Sequence, residues 1–241
     1  MKVSLVIPAF NEEKLLPQTL AAIERARAGF TDAGWESELI VCNNNSTDRT
    51  GEVAAASGAR VVFEPVNQIG RARNTGAAAA TGDWILFVDA DSRPSRELFA
   101  AAATMAASGR AIAIGSTVRL DGGGRAWRML AESWNRLSRW AGLMAGSFIF
   151  VERAAFQEVG GFNLQLYAAE EIDLTKRLRT LGRKQGRRIV ILHRTPLETS
   201  ARKTELYSFR ELFSFFLRGL FRPFSTLSRR EACSPWYDGR R

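Results

Sequence analysis

The sequence predicts an α/β fold built on a mainly parallel central sheet flanked by helices, with a C-terminal amphipathic helical tail. Three observations carry this. Short apolar runs suited to buried strands alternate four times in succession with segments whose apolar residues recur at helical spacing. The chain has 241 residues, 46% of them hydrophobic, enough to bury one full core. Beyond Pro196 the composition turns basic and rich in Phe, so one large domain over 1–200 with an appendage over 201–241 is expected.

VSLVIPAF (3–10) reads as the first buried strand, followed by NEEKLLPQTLAAIERARAGF (11–30) as a helix. The alternation continues with SELIVCNNN (37–45) before STDRTGEVAAASG (46–58), and with ARVVFEP (59–65) before IGRARNTGAAAATG (69–82). DWILFVDAD (83–91) before SRELFAAAATMAASG (95–109) completes it, and four such units imply a parallel sheet. The second half is less regular. AIAIGSTVRL (111–120) reads as a strand, GRAWRMLAESWNRLSRWAG (124–142) as an amphipathic helix rich in Trp and Arg, and GSFIFVERAAF (146–156) as a strand and turn. Trp127, Trp134 and Trp140 suit core packing or an acceptor surface equally.

In GGFNLQLYAAEEIDLTKRLRTLG (160–182) the glycine pair suits a tight turn. Glu170, Glu171 and Asp173 crowd the first turn of the next helix, where the helix dipole favours acids. RRIVILH (187–193) is the last strand and ends on His193. In the tail, Leu206, Phe209, Phe213, Phe216, Leu217, Leu220 and Phe224 fall on one side of a helix over 205–222 and its continuation, with Arg218 and Arg222 on the other. This helix is expected to lie on an anionic membrane surface, the alternative being that it packs on the domain.

In parallel sheets ligands bind outside the carboxyl ends of the strands. Asn11, the run Asn43 to Asn45, and the pair Asp89 and Asp91 all fall just past strand ends, so one rim collects polar residues. A strand alternates its faces with period two, so Asp89 and Asp91 point the same way if the chain stays extended through Ala90. Two like charges side by side need a cation between them, either an arginine of the chain or a metal ion.

The formal charge of +9 points to anionic company: nucleic acid, a membrane surface or a phosphorylated substrate. No zinc-finger, RNA-binding or helix-turn-helix pattern supports nucleic acid. Two distant cysteines, Cys42 and Cys233, and a lone histidine, His193, support neither a disulfide framework nor a Cys/His zinc site. No signal peptide and no run of roughly 18 apolar residues is present, so a cytoplasmic protein, peripheral on the inner face of the membrane, is expected.

VIPAFNEE, NNNSTDRT, GRARNTGAAAATGDWILFVDADS, GGFN and EEIDLTKRLR, in this order and spacing, resemble the inverting family 2 glycosyltransferases of the GT-A nucleotide-sugar-binding fold. The resemblance runs from Val3 to His193. It implies a nucleotide-diphosphate sugar donor, a saccharide or lipid-linked acceptor, and a divalent cation, Mg²⁺ or Mn²⁺. By the same resemblance Asp91 is a metal ligand, Asp89 reaches the ribose or the cation, and His193 stands where such enzymes often carry a further metal or diphosphate ligand. Arg73 and Asn74 bind the diphosphate or brace the aspartates. Pro8, Ala9, Asn11, Glu12, Asn43, Asn44 and Ala90 line the nucleotide side, and Glu171 matches the general base. The pattern departs twice: Asn43 and Asn44 stand where aspartates are common, and Glu171 where aspartate is commoner. The Gln-x-x-Arg-Trp signature of processive synthases is missing, which favours transfer of single sugars. Two other functions compete. A sugar-phosphate nucleotidyltransferase would carry a glycine-rich basic loop after the first strand, which PAFNEEK lacks; a non-catalytic nucleotide-sugar-binding module would bind without turnover.

Overall fold

A computed structural model describes residues 1–202, 206 and 227–233 of the chain. The expected tail helix over 205–222 lies, Leu206 apart, outside the described residues. The elements of the first half are β1 (Lys2–Ala9), α1 (Leu16–Ala26), α2 (Ala28–Thr31), β2 (Glu36–Asn43), α3 (Thr50–Ala56), β3 (Arg60–Phe63), α4 (Ile69–Ala78) and β4 (Trp84–Val88). Then follow β5 (Ser92–Arg93), α5 (Arg96–Ala107), β6 (Ala111–Leu120), α6 (Arg125–Ala141), β7 (Phe148–Glu152), α7 (Arg153–Glu158), α8 (Glu170–Lys184) and β8 (Arg188–Thr199).

All eight strands join one sheet in the order β3-β2-β1-β4-β7-β6-β8-β5. β1 pairs in parallel with both β2 and β4, and β2 with β3, as the strand–helix alternation requires. The chain therefore winds outward from β1 to β3 and crosses back to β4 on the other side. That reversal opens a crevice past the carboxyl ends of β1 and β4. β7 runs antiparallel to β4 and β6, and β5 antiparallel to β8, so the sheet is mixed but mainly parallel.

β4 is buried along its whole length, which is why WILFV reads as an unbroken apolar run. Alternation along β1 sends Leu5 and Ile7 to one face, with Phe30, Phe99 and Phe150, and Val6 to the other, with Phe87, Phe156 and Phe162. Phe30 and Phe99 meet at 4.7 Å between ring centroids. Gly76 of α4 lies against Val6; a Cβ there would come within 2.3 Å of the valine, so only glycine lets the helix seat on β1.

Several elements differ from expectation. α1 begins at Leu16, because Leu15 and Leu16 donate backbone N–H groups to the Glu12 carbonyl in a separate turn, and Pro17 suits a helix start. Residues 153–158 form a helix where a turn is expected. Most consequential is β8, which does not stop at His193 but runs to Thr199. Its pairing with β6 jumps from Ser116↔Leu192 to Val118↔Leu197, leaving residues 193–196 to bulge opposite Thr117. Pro196, which has no N–H to give the ladder, lies in that bulge.

Candidate active site

Asp89 follows the last residue of β4, and the Ser92 N–H returns to the Asp89 carbonyl at 3.1 Å. The chain thus makes a four-residue turn through Ala90 and Asp91 rather than the extended run expected. Both aspartates still reach one cavity, because the turn leads into β5, which pairs with the end of β8. Ser200 N–H donates to the Asp91 carbonyl at 3.1 Å and Thr19 Oγ1 to the Ala90 carbonyl at 2.7 Å, fixing the turn on both sides. Helix α5 is capped by Ser95, whose Oγ accepts from Leu98 N–H at 3.2 Å, so Asp91 is not its cap.

The cavity encloses about 290 Å³, and its walls include Arg73, Asp89, Asp91, Gly146, Glu170 and Glu171. The cation beside Asp89 is an arginine. Arg73, carried in on α4 and buried, donates from Nη2 to Asp89 at 2.9 Å and to the Gly146 carbonyl at 2.9 Å, and from Nη1 to Glu170 at 2.6 Å. Its guanidinium carbon lies 5.2 Å from the Phe162 ring centroid, in cation–π range. A Cβ on Gly146 would stand 3.2 Å from Arg73 Nη2, a tight contact that would push the guanidinium by a few tenths of an ångström.

Ala169, just ahead of α8, holds a left-handed backbone at φ +59°, which a non-glycine residue adopts at a cost. This strained residue sets the start of α8 so that Glu170 is buried against Arg73 while the half-buried Glu171 faces the cavity. Burial pushes the Glu170 carboxyl up to about 8; the neighbouring Glu171 charge adds to the rise and Arg73 opposes it. Arg73 is itself pushed upward by Asp89 and then Glu170, despite the cost of its burial.

A second cation stands past the carboxyl end of β1. Arg202 donates to both Glu12 carboxylate oxygens, at 2.7 and 2.9 Å, and lies 3.8 Å from Asp91. Glu12 and Asp91, expected on separate strand ends, thereby face one guanidinium. The other rim residues are placed as follows. Pro8 and Ala9 end β1, buried, opposite Cys42 and Asn43. Asn11, at φ +52°, accepts from Thr47 N–H at 2.8 Å, and Asn43 accepts from Ser46 N–H at 2.9 Å.

Three expected ligands are directed elsewhere. The Asn44 amide is buried and donates to the carbonyls of Glu64 and Val66. Asn74 exchanges two 2.9 Å hydrogen bonds with the Phe162 backbone, pinning the GGFN turn. His193 is exposed on the β8 bulge and is not part of the cavity wall; the end of β8, Thr199 and Ser200, is what meets Asp91. The bulge, invisible in an apolar run, moved the strand end by six residues. Glu170, Gly146 and Arg202 belong to the site although no motif singled them out as ligands.

Among the described residues no group of three or more His, Cys, Asp and Glu side chains is placed to hold a metal. Asp89 and Asp91 nonetheless offer hard carboxylate oxygens on one cavity, and Asp91 already lies against a cation. That donor set fits Mg²⁺ or Mn²⁺, which commonly use one or two carboxylates and take their remaining ligands from substrate phosphates and water.

Residues 4–160 match the profile of Glycosyl transferase family 2. An uncharacterised glycosyltransferase of Mycobacterium tuberculosis is 44% identical over 89 residues, spanning 37% of this chain and 36% of the relative. Glucosyl-3-phosphoglycerate synthase of Mycolicibacterium smegmatis is 38% identical over 97 residues, 37% of this chain and 30% of that protein. The match thus spans about a third of these relatives' lengths. Among solved structures, a mannosyltransferase of Pyrobaculum calidifontis in complex with GDP-Man and Mn²⁺ superposes with a TM-score of 0.73 at 17% identity, covering 98% of this chain and 68% of the other. Glucosyl-3-phosphoglycerate synthase of M. tuberculosis, in complex with Mn²⁺, UDP and phosphoglyceric acid, gives 0.57 at 26% identity, covering 82% and 70%. These structural neighbours are GT-A glycosyltransferases, and the fold of this chain is theirs.

Proposed function

The chain belongs to glycosyl transferase family 2, and from that premise we propose that it is an inverting, divalent-cation-dependent glycosyltransferase. It would move a single sugar from a nucleotide-diphosphate sugar to an acceptor hydroxyl, in cell-envelope polysaccharide or glycolipid synthesis. The observation that carries this reading is one cavity whose lining brings together Asp89, Asp91 and Glu171. A transferase that inverts needs a leaving-group site and a base apart from it.

Each side chain then has a role that its environment suits. Asp89 and Asp91 would hold the cation, which supplies charge neutralisation as the diphosphate departs. Glu171, half-exposed and in contact with the cavity, takes the proton of the acceptor hydroxyl. Glu170 is a positioning residue: buried and bound to Arg73, it keeps a second carboxyl beside the base and fixes the start of α8. Arg73 orients Asp89 and counters the acids around it. The nucleoside rests against Pro8, Ala9, Asn11 and Glu12, past the end of β1. Complexes of the neighbours with GDP-Man or UDP support the donor class.

A thermal-shift panel of nucleoside diphosphates and their sugars, with and without Mn²⁺, tests the donor. A true donor raises the melting temperature by mass action, and does so more with the cation. No shift with any member would contradict the proposal.

A further inference from the structure

α6 is an amphipathic helix mounted the unusual way round. The side chains it buries are polar: Asn135 exchanges hydrogen bonds with the Val118 backbone at 2.9 Å each way, and Ser138 Oγ donates to the Leu143 carbonyl at 2.6 Å. Its large apolar side chains face outward. Trp140 is 87% exposed and Met129 70%, with Leu130 and Leu137 also exposed, while Trp127 and Trp134 are half-buried. At 3.6 residues per turn Met129 and Trp140 share one line along the helix, with Leu130 and Leu137 on the next. The other side of this exposed arc carries Arg125, Arg128, Arg136 and Arg139 against the single acid Glu132.

Among the described residues this apolar patch is uncovered, and such a patch calls for an occupant. A second copy of the chain would bring two arginine rows together, so self-association is opposed by charge. An interface that is apolar below and negative above suits both rows at once, with Trp at its preferred depth. We propose that α6 lies in the surface of an anionic lipid bilayer. The helix joins two segments of the cavity wall, the end of β6 at Val118 and Leu120 and the loop at Ala145 and Gly146. Docking by α6 therefore sets the cavity beside the headgroups, and, on the transferase reading above, makes the acceptor an amphiphile held in that layer.

Sedimentation of the full chain with vesicles tests this. Phosphatidylcholine vesicles containing about a third phosphatidylglycerol are expected to bind it, pure phosphatidylcholine is not, and added salt weakens binding. Met129→Ser with Trp140→Ser, and separately Arg136→Glu with Arg139→Glu, are expected to lower the vesicle partition coefficient about tenfold or more. Both pairs keep the wild-type melting temperature and donor-induced shift, since none of these side chains is buried. Vesicle binding that survives both pairs, equal binding to neutral vesicles, or a solution dimer that the Trp140 variant dissociates with no vesicle binding would each overturn the proposal. Anionic binding through α6 with no donor turnover would uphold it and count against the transferase reading instead.

Discussion

Arg73 and Glu170, ninety-seven residues apart, meet inside the protein with 2.6 Å between guanidinium nitrogen and carboxylate oxygen. The same guanidinium reaches Asp89, so one buried cation ties the end of β4 to the start of α8. Removing one partner of such a pair leaves an uncompensated buried charge, which typically costs about 3–5 kcal/mol. Arg73→Met is thus expected to lower the unfolding free energy by about that much, since Asp89 and Glu171 lose their counter-charge and the buried Glu170 carboxyl loses its donor. The double variant Arg73→Met with Glu170→Leu should cost less than the sum of the two, and chemical denaturation reads both.

Glu170 also makes stability depend on pH. Its carboxyl is raised from 4.5 to about 8 by burial and by Glu171, so the folded state binds a proton there that the unfolded chain has lost. Between those values the folded state holds more protons, and stability falls as pH rises. The contribution is fully present below the unfolded value and is lost as pH climbs through about 8. Glu170→Gln is expected to flatten that decline, which melting curves across the interval would register; an unchanged slope would show the proton to be elsewhere.

Arg202 occupies the two carboxylates, Glu12 and Asp91, that a donor complex would use. Arg202→Ala removes this guanidinium from both, and half-maximal Mn²⁺-dependent stabilisation is expected at about tenfold lower cation concentration, equivalent to about 1.4 kcal/mol of relieved competition. A weakened response would mean instead that Arg202 helps to hold the diphosphate. Asp91→Asn, by contrast, should abolish the cation response while leaving the melting temperature of the cation-free protein within a few degrees, since Asp91 sits in a turn held by backbone hydrogen bonds.

Much of this was legible in the residues alone. The parallel half of the sheet follows from four apolar runs alternating with helices, and the rim follows from where Asn11, Asn43 and Asp89 fall at strand ends. The remainder depended on tertiary contacts that no local period encodes. Asn44 and Asn74 have the right type and position for ligands, but the backbone carbonyls of Val66 and Phe162 are nearer. His193 stood at the end of an apolar run, yet the strand continues past a bulge containing Pro196 to Thr199. Asp89 and Asp91 converge through a turn, not through strand alternation. Arg202 lies beyond the last recognisable strand, where nothing in the local sequence points back to Glu12.

The assignment of Glu171 as the base on the acceptor side is tested most directly by comparing donor affinity and turnover in wild type and Glu171→Gln. The side chain lines the cavity, and on the base assignment it does not hold the donor, so the variant should bind the nucleotide-diphosphate sugar with unchanged affinity and transfer it roughly a hundredfold or more slowly, as loss of a general base commonly does. Donor affinity that falls while turnover of bound donor stays at the wild-type rate would contradict the account and move Glu171 to the donor side.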